Sequence, residues 1–160
     1  MSNSRAPLVV VAIFLIIEVH RCYSSQCPSE NKFDPHCIDP SLVATYDEIV
    51  DLPKHPEKLL IDVRRPEELT GTGTIPTSIN IPLNVVEQEL KLDASQFEEK
   101  YGRPKPSQDS PIIFSCRSGS RAGSAANIAD KLGFKNVKSY VGSWLDYAKR
   151  NNLKLEPTDN

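Results

Sequence analysis

The sequence predicts a single α/β domain with a central, mainly parallel sheet and helices on both faces. Three observations point there. Two short apolar runs, "LLIDV" (59–63) and "PIIFS" (111–115), read as strands buried on both faces. Helical segments of ten or so residues lie between such runs, which is the spacing of parallel strands joined by crossovers. A third strand candidate, "VKSYV" (137–141), alternates apolar and polar positions.

Taken in order, "ATYDEIVDL" opens with Thr45 and carries Glu48 three positions on, a capping-box pattern with Ile49 and Leu52 on one face. "NVVEQELKL" and "DASQFEEKYG" follow as helices, the second capped by Asp93 and stopped at Gly102. After "PIIFS" comes "GSAANIADKLG", a helix of small residues stopped by Gly133. "SWLDYAKRNN" is the last helix. The chain has 160 residues, 39% hydrophobic and 25% charged, which suits one soluble domain with a real core. A formal net charge of −2 and no lysine run give no pull toward nucleic acid or anionic membrane. The sequence assigns no oligomeric state.

Residues 1–24 differ in kind from the rest. Arg5 precedes an apolar run from Pro7 to Ile17, followed by small polar residues, the layout of a secretory signal cleaved near Ser24. Eleven residues at ~1.5 Å rise cover ~16 Å, about half a bilayer core, so no stable membrane span is expected. The expectation is a secreted or secretory-lumen protein, with a mitochondrial location or an uncleaved anchor as the alternatives. Residues 25–43 form an N-terminal extension, 44–152 the domain, and 153–160 a tail. Removal of Cys22 leaves Cys27, Cys37 and Cys116, an odd number. A Cys27–Cys37 disulfide would close a short loop in the polar extension and leave Cys116 as the free thiol. His36 has no second Cys or His cluster at ligand spacing beside it, so no metal is expected.

Cys116 follows a predicted strand, where ligands bind in sheets of this kind. The loop "CRSGSR" looks built for an anion. Successive N–H groups of Ser118, Gly119 and Ser120 can turn inward as a nest, and the next helix adds its positive end. Arg117 and Arg121 add full charges. All of these favour a thiolate at Cys116, the form that acts as a nucleophile. An inert core thiol is the alternative, and it has no use for two arginines and a glycine within five residues.

"LLIDVRRPEELTGTGTIPTSINIPL" (59–83), "CRSGSRA" and "VGSWLDYAK" together resemble a single-domain rhodanese, in particular the small thiosulfate:glutathione sulfurtransferase type. Asp62, Arg64, Gly73, Ile75 and Pro76 match the family's first motif, while Thr74 and Thr77 replace its usual His and Gly. The late Gly-Gly-Trp becomes Gly142, Ser143 and Trp144. The resemblance implies transfer of the outer sulfur of thiosulfate to a glutathione-like thiol or to cyanide, through a persulfide on Cys116. Arg117, Ser118, Gly119, Ser120 and Arg121 would bind substrate, while a buried Asp62–Arg64 pair and a core Trp144 would support the loop. No cofactor is implied, and the partners are a small-molecule sulfur donor and a thiol. A cysteine phosphatase of the same fold is disfavoured, since only four residues separate Cys116 from Arg121 where that class has five. A non-enzymatic module that binds a partner is the other alternative.

Overall fold

The computed structural model describes residues 31–155. The predicted signal segment, Cys22, Cys27 and the end of the tail lie outside the described residues. The sheet has four strands: β1 (Leu59–Asp62), β2 (Ile79–Asn80), β3 (Ile112–Ser115) and β4 (Val137–Ser139). Their order is β2-β1-β3-β4 and every pairing is parallel. Helices α1 (Tyr46–Asp51), α2 (Pro66–Thr72), α3 (Val86–Leu90), α4 (Ala94–Tyr101), α5 (Ser120–Lys131) and α6 (Ser143–Arg150) connect or follow them.

The strand residues are buried because both faces are covered, and the period of two sorts them between two cores. Leu59, Ile61, Val63, Ile112, Phe114 and Val137 pack on one face with side chains of α3, α4 and α5. Leu60 and Ile113 pack on the other with Ile49 of α1 and Trp144, Tyr147 and Ala148 of α6. The register sets Asp62 beside Ser115, so the carboxyl ends of the two central strands finish level. Cys116 leaves the sheet at that edge.

Local chemistry accounts for the ends of the elements. Thr45 caps α1 by accepting from the Glu48 N–H at 3.2 Å, but the Glu48 carboxylate goes to Lys58 (3.2 Å) and Lys138 (2.8 Å). Only half of the expected capping box forms, because two lysines compete for its acid. Around α4 the box is complete between Asp93 and Gln96, and Gly102 ends the helix in the left-handed region at φ 64°. α5 begins at Ser120, three residues before the helix read from the sequence, so Arg121 already sits in its first turn. β4 ends at Ser139, two residues early.

The segment 31–43 is more closely joined to the domain than its polar composition suggests. Phe33 is buried in the core beside α5, and Val43 makes a parallel bridge to Ser139. Gly123 allows the approach: a Cβ built there would lie 2.2 Å from the Phe33 carbonyl oxygen. Cys116 is free and buried, and Cys27, the expected partner of Cys37, lies outside the described residues.

Replacing Gly123 by Ala gains helix propensity, but the backbone clash outweighs that gain. We expect Gly123→Ala to cost a net ~1–3 kcal/mol of stability, read from the urea midpoint. An unchanged midpoint would show that residues 31–35 do not seat on α5.

Candidate active site

Cys116 sits at the end of β3 with 1% of its surface exposed. The chain turns through residues 117–119 and enters α5 at Ser120. The Gly119 N–H points back and donates to Cys116 Sγ at 3.1 Å. Glycine is required at that position on two counts. Its φ is 109°, and a Cβ there would stand 3.2 Å from Gly142 N and 3.3 Å from Val141 Cα. The loop therefore lies directly on the turn that opens α6.

Contacts between loop and turn are largely backbone. The Trp144 N–H donates to the Cys116 carbonyl and the Leu145 N–H to the Arg117 carbonyl, each at 3.0 Å. The Cys116 N–H donates to Ser143 Oγ at 3.0 Å, and that hydroxyl donates to the Tyr140 carbonyl at 2.6 Å. Ser143 is fully buried and holds a left-handed φ of 48°, a conformation glycine adopts without strain. The departure from the resembled motif thus has a physical role: its hydroxyl satisfies a buried N–H that glycine would leave without this acceptor.

Arg121 does not stand open to a ligand. Its guanidinium makes a two-pronged ion pair with Glu68 of α2, both contacts at 2.7 Å. Sequence reasoning missed Glu68, which lies 53 residues away in the chain. The one available signal was an acidic residue at the third position of a helix started by Pro66. Hydrogen bonds from Arg121 dominate partial burial and push the Glu68 carboxyl down to about 2. The same bonds raise Arg121 above its ordinary range, with Cys116 and Asp62 adding smaller contributions. Arg117, Ser118 and Ser120 are exposed at the mouth of the loop.

Asp62 and Arg64 form a buried pair beneath this assembly, with 0% and 1% of their surfaces exposed. Arg64 Nη2 and Nε donate to Asp62 Oδ2 at 2.7 and 2.9 Å. Thr72 Oγ1 and the Gly73 carbonyl accept from the rest of the guanidinium, both at 2.9 Å. Its plane lies over Trp144, 4.7 Å from the ring centroid. Trp144 is buried among Leu60, Ile75 and Ile113, and its indole N–H donates to the Lys154 carbonyl at 3.0 Å. Asp62, Arg64, Trp144 and Cys116 are thus linked in one chain of contacts. Among the described residues, no group of three or more His, Cys, Asp or Glu could hold a metal ion.

A buried cysteine on an inward-turned loop after a central parallel strand, with an arginine in the following helix, defines a rhodanese-type site. The chain belongs to that family: the rhodanese-like domain matches residues 45–150. It is 53% identical over 111 residues to "Rhodanese domain-containing protein CG4456" of Drosophila melanogaster, covering 69% of this chain and all of that one. It is 38% identical over 109 residues to "Putative thiosulfate sulfurtransferase, mitochondrial" of Schizosaccharomyces pombe, covering 66% of this chain and 76% of that protein. A solved human single-domain sulfurtransferase, TSTD1, superposes with a TM-score of 0.63 at 28% identity, over 68% of this chain and 96% of its own. These relatives support sulfurtransferase activity in general terms.

The Glu68–Arg121 pair has a defined pH window. A carboxyl depressed from 4.5 to about 2 contributes stability that is complete above pH 4.5 and is lost as pH falls toward 2. The stability difference between wild type and Glu68→Gln should therefore be constant above pH 4.5 and shrink toward zero near pH 2. Denaturant titrations at a series of pH values check this. A difference that grew on acidification would rule the pair out.

Proposed function

We propose that the protein is a thiosulfate sulfurtransferase that works through a persulfide on Cys116. One observation carries the reading: Cys116 Sγ accepts the Gly119 N–H at 3.1 Å, inside a loop whose following helix points its positive end the same way. The Cys116 thiolate attacks the outer sulfur of thiosulfate. The S–S bond of the donor breaks, sulfite leaves with its electron pair, and the outer sulfur stays on Cys116 as a persulfide anion. An acceptor thiolate or cyanide then attacks that sulfur, and the electron pair returns to Cys116. Covalent storage divides one difficult transfer into two displacements, and inward N–H groups stabilise the anion in both.

Arg117 and Arg121 divide the work on this reading. Arg117, exposed at the mouth, attracts the dianionic donor. Arg121, fixed by Glu68, places its charge at one side of the loop without searching rotamers. Ser118 and Ser120 shape the loop mouth, while Asp62, Arg64 and Trp144 hold the floor.

Intact mass after thiosulfate treatment tests the proposal. Wild type should gain one sulfur atom, removable by a thiol, and Cys116→Ser should gain none while remaining folded. Arg121→Ala should slow thiosulfate use roughly ten- to 150-fold, because the charge that Glu68 fixes beside the loop is lost. Sulfur loading that persists in Cys116→Ser would overturn the assignment.

Export through the secretory pathway is our reading of residues 1–24, and a Cys27–Cys37 disulfide is our reading of the extension. Such a disulfide would require an oxidising compartment. A relative named as mitochondrial makes that compartment the competing outcome of a fractionation experiment.

A further inference from the structure

A groove of ≈580 Å³ opens beside the reactive loop, between the turn after β1 and the turn before α3. That size suits a small organic molecule. Val63, Pro66, Pro82, Leu83 and Val85 make its walls, and Arg121 closes one side. Two features place it beside the elements that flank Cys116. Val63 donates its N–H to the carbonyl of Ser115, the residue before Cys116, at 2.8 Å. Arg121, in the first turn of α5, feels the Cys116 charge.

The cations on the groove are already matched. Arg65 Nε lies 3.2 Å from Glu67 Oε1, and Arg121 is held by both oxygens of Glu68. Two arginines against two glutamates leave the rim without net charge. The walls between them are apolar. Such a surface selects by contact with hydrocarbon and has no spare cation for a carboxylate.

We propose that this groove is the acceptor subsite, and that it takes an uncharged thiol with a hydrocarbon body in preference to glutathione, which carries two carboxylates. The proposal rests on the persulfide reading above and names the acceptor class for its second step. The acceptor's hydrocarbon lies along Leu83 and Val85 while its thiolate attacks the outer persulfide sulfur. The bond between the two sulfurs breaks, its electron pair returns to Cys116 Sγ, and the acceptor departs as an alkyl persulfide. Nothing is oxidised or reduced overall, so no further reactant is needed.

The experiment separates the two steps. Protein loaded with thiosulfate and freed of excess donor is mixed with mercaptoethanol, mercaptobutanol, mercaptohexanol, glutathione or cyanide. Each thiol's second-order rate is divided by its thiolate fraction. The rate should rise about two- to four-fold per added methylene, the ratio that burial of a methylene implies. Glutathione should fall below mercaptohexanol. Leu83→Asn should flatten the series while leaving sulfur loading and transfer to cyanide unchanged. Asn84→Lys, at an exposed rim position where folding is not at stake, should raise glutathione relative to mercaptohexanol. A flat series with glutathione fastest, on protein that loads normally, overturns the acceptor proposal and leaves the persulfide reading standing. Failure to load any sulfur overturns the reading, and the subsite falls with it.

Discussion

Two N–H groups at the start of α6, those of Trp144 and Leu145, hold the carbonyls of Cys116 and Arg117, and Ser143 Oγ takes the Cys116 N–H. The first peptide units of the reactive loop are thereby pinned on both sides. With those groups occupied, the Gly119 N–H turns back onto Sγ. A helix start leaves N–H groups without partners inside the helix, and here the reactive loop supplies acceptors for them. On the proposed function, the loop is shaped before any substrate arrives, the condition for electrostatic stabilisation without reorganisation.

What fixes α6 in place is the buried ion pair below it. Arg64 meets Asp62, Thr72 and Gly73 through hydrogen bonds and Trp144 through its face, so each nitrogen of its guanidinium has a partner. A pair this deep is tolerated because its hydrogen bonds are made, and loss of either partner would leave an uncompensated buried charge. Arg64 sits where β1 ends, and Trp144 at the first turn of α6. The pair therefore couples the edge of the sheet to the brace on the loop. The Glu68–Arg121 pair does the same at the other side, joining α2 to the first turn of α5.

Most of this was legible in the sequence where the signal was local. The strands at 59–63 and 111–115, the capping of α4 by Asp93 and its stop at Gly102 all follow from periodicity and turn chemistry. So does the placing of Cys116 at a strand end. Neither α2 nor β2 was legible. "PEELTGT" carries one apolar residue and no helical period, and a two-residue strand is too short to show alternation. Glu68 escaped because an ion pair spanning 53 residues leaves no mark on neighbouring sequence. Phe33 escaped because its neighbours are polar, and only the close approach permitted by Gly123 brings it into the core. Ser143 read as a departure from the family motif, since its value lies in a left-handed backbone and an N–H 27 residues away.

On the proposed function, the brace on Cys116 sets the loop for sulfur chemistry. The most direct test is the single-turnover rate of sulfur loading from thiosulfate in Ser143→Ala, measured where the variant is fully folded by circular dichroism. The variant should load more slowly, because the Cys116 N–H loses its acceptor and the loop its fixed start. Loading at the wild-type rate by the folded variant would contradict it.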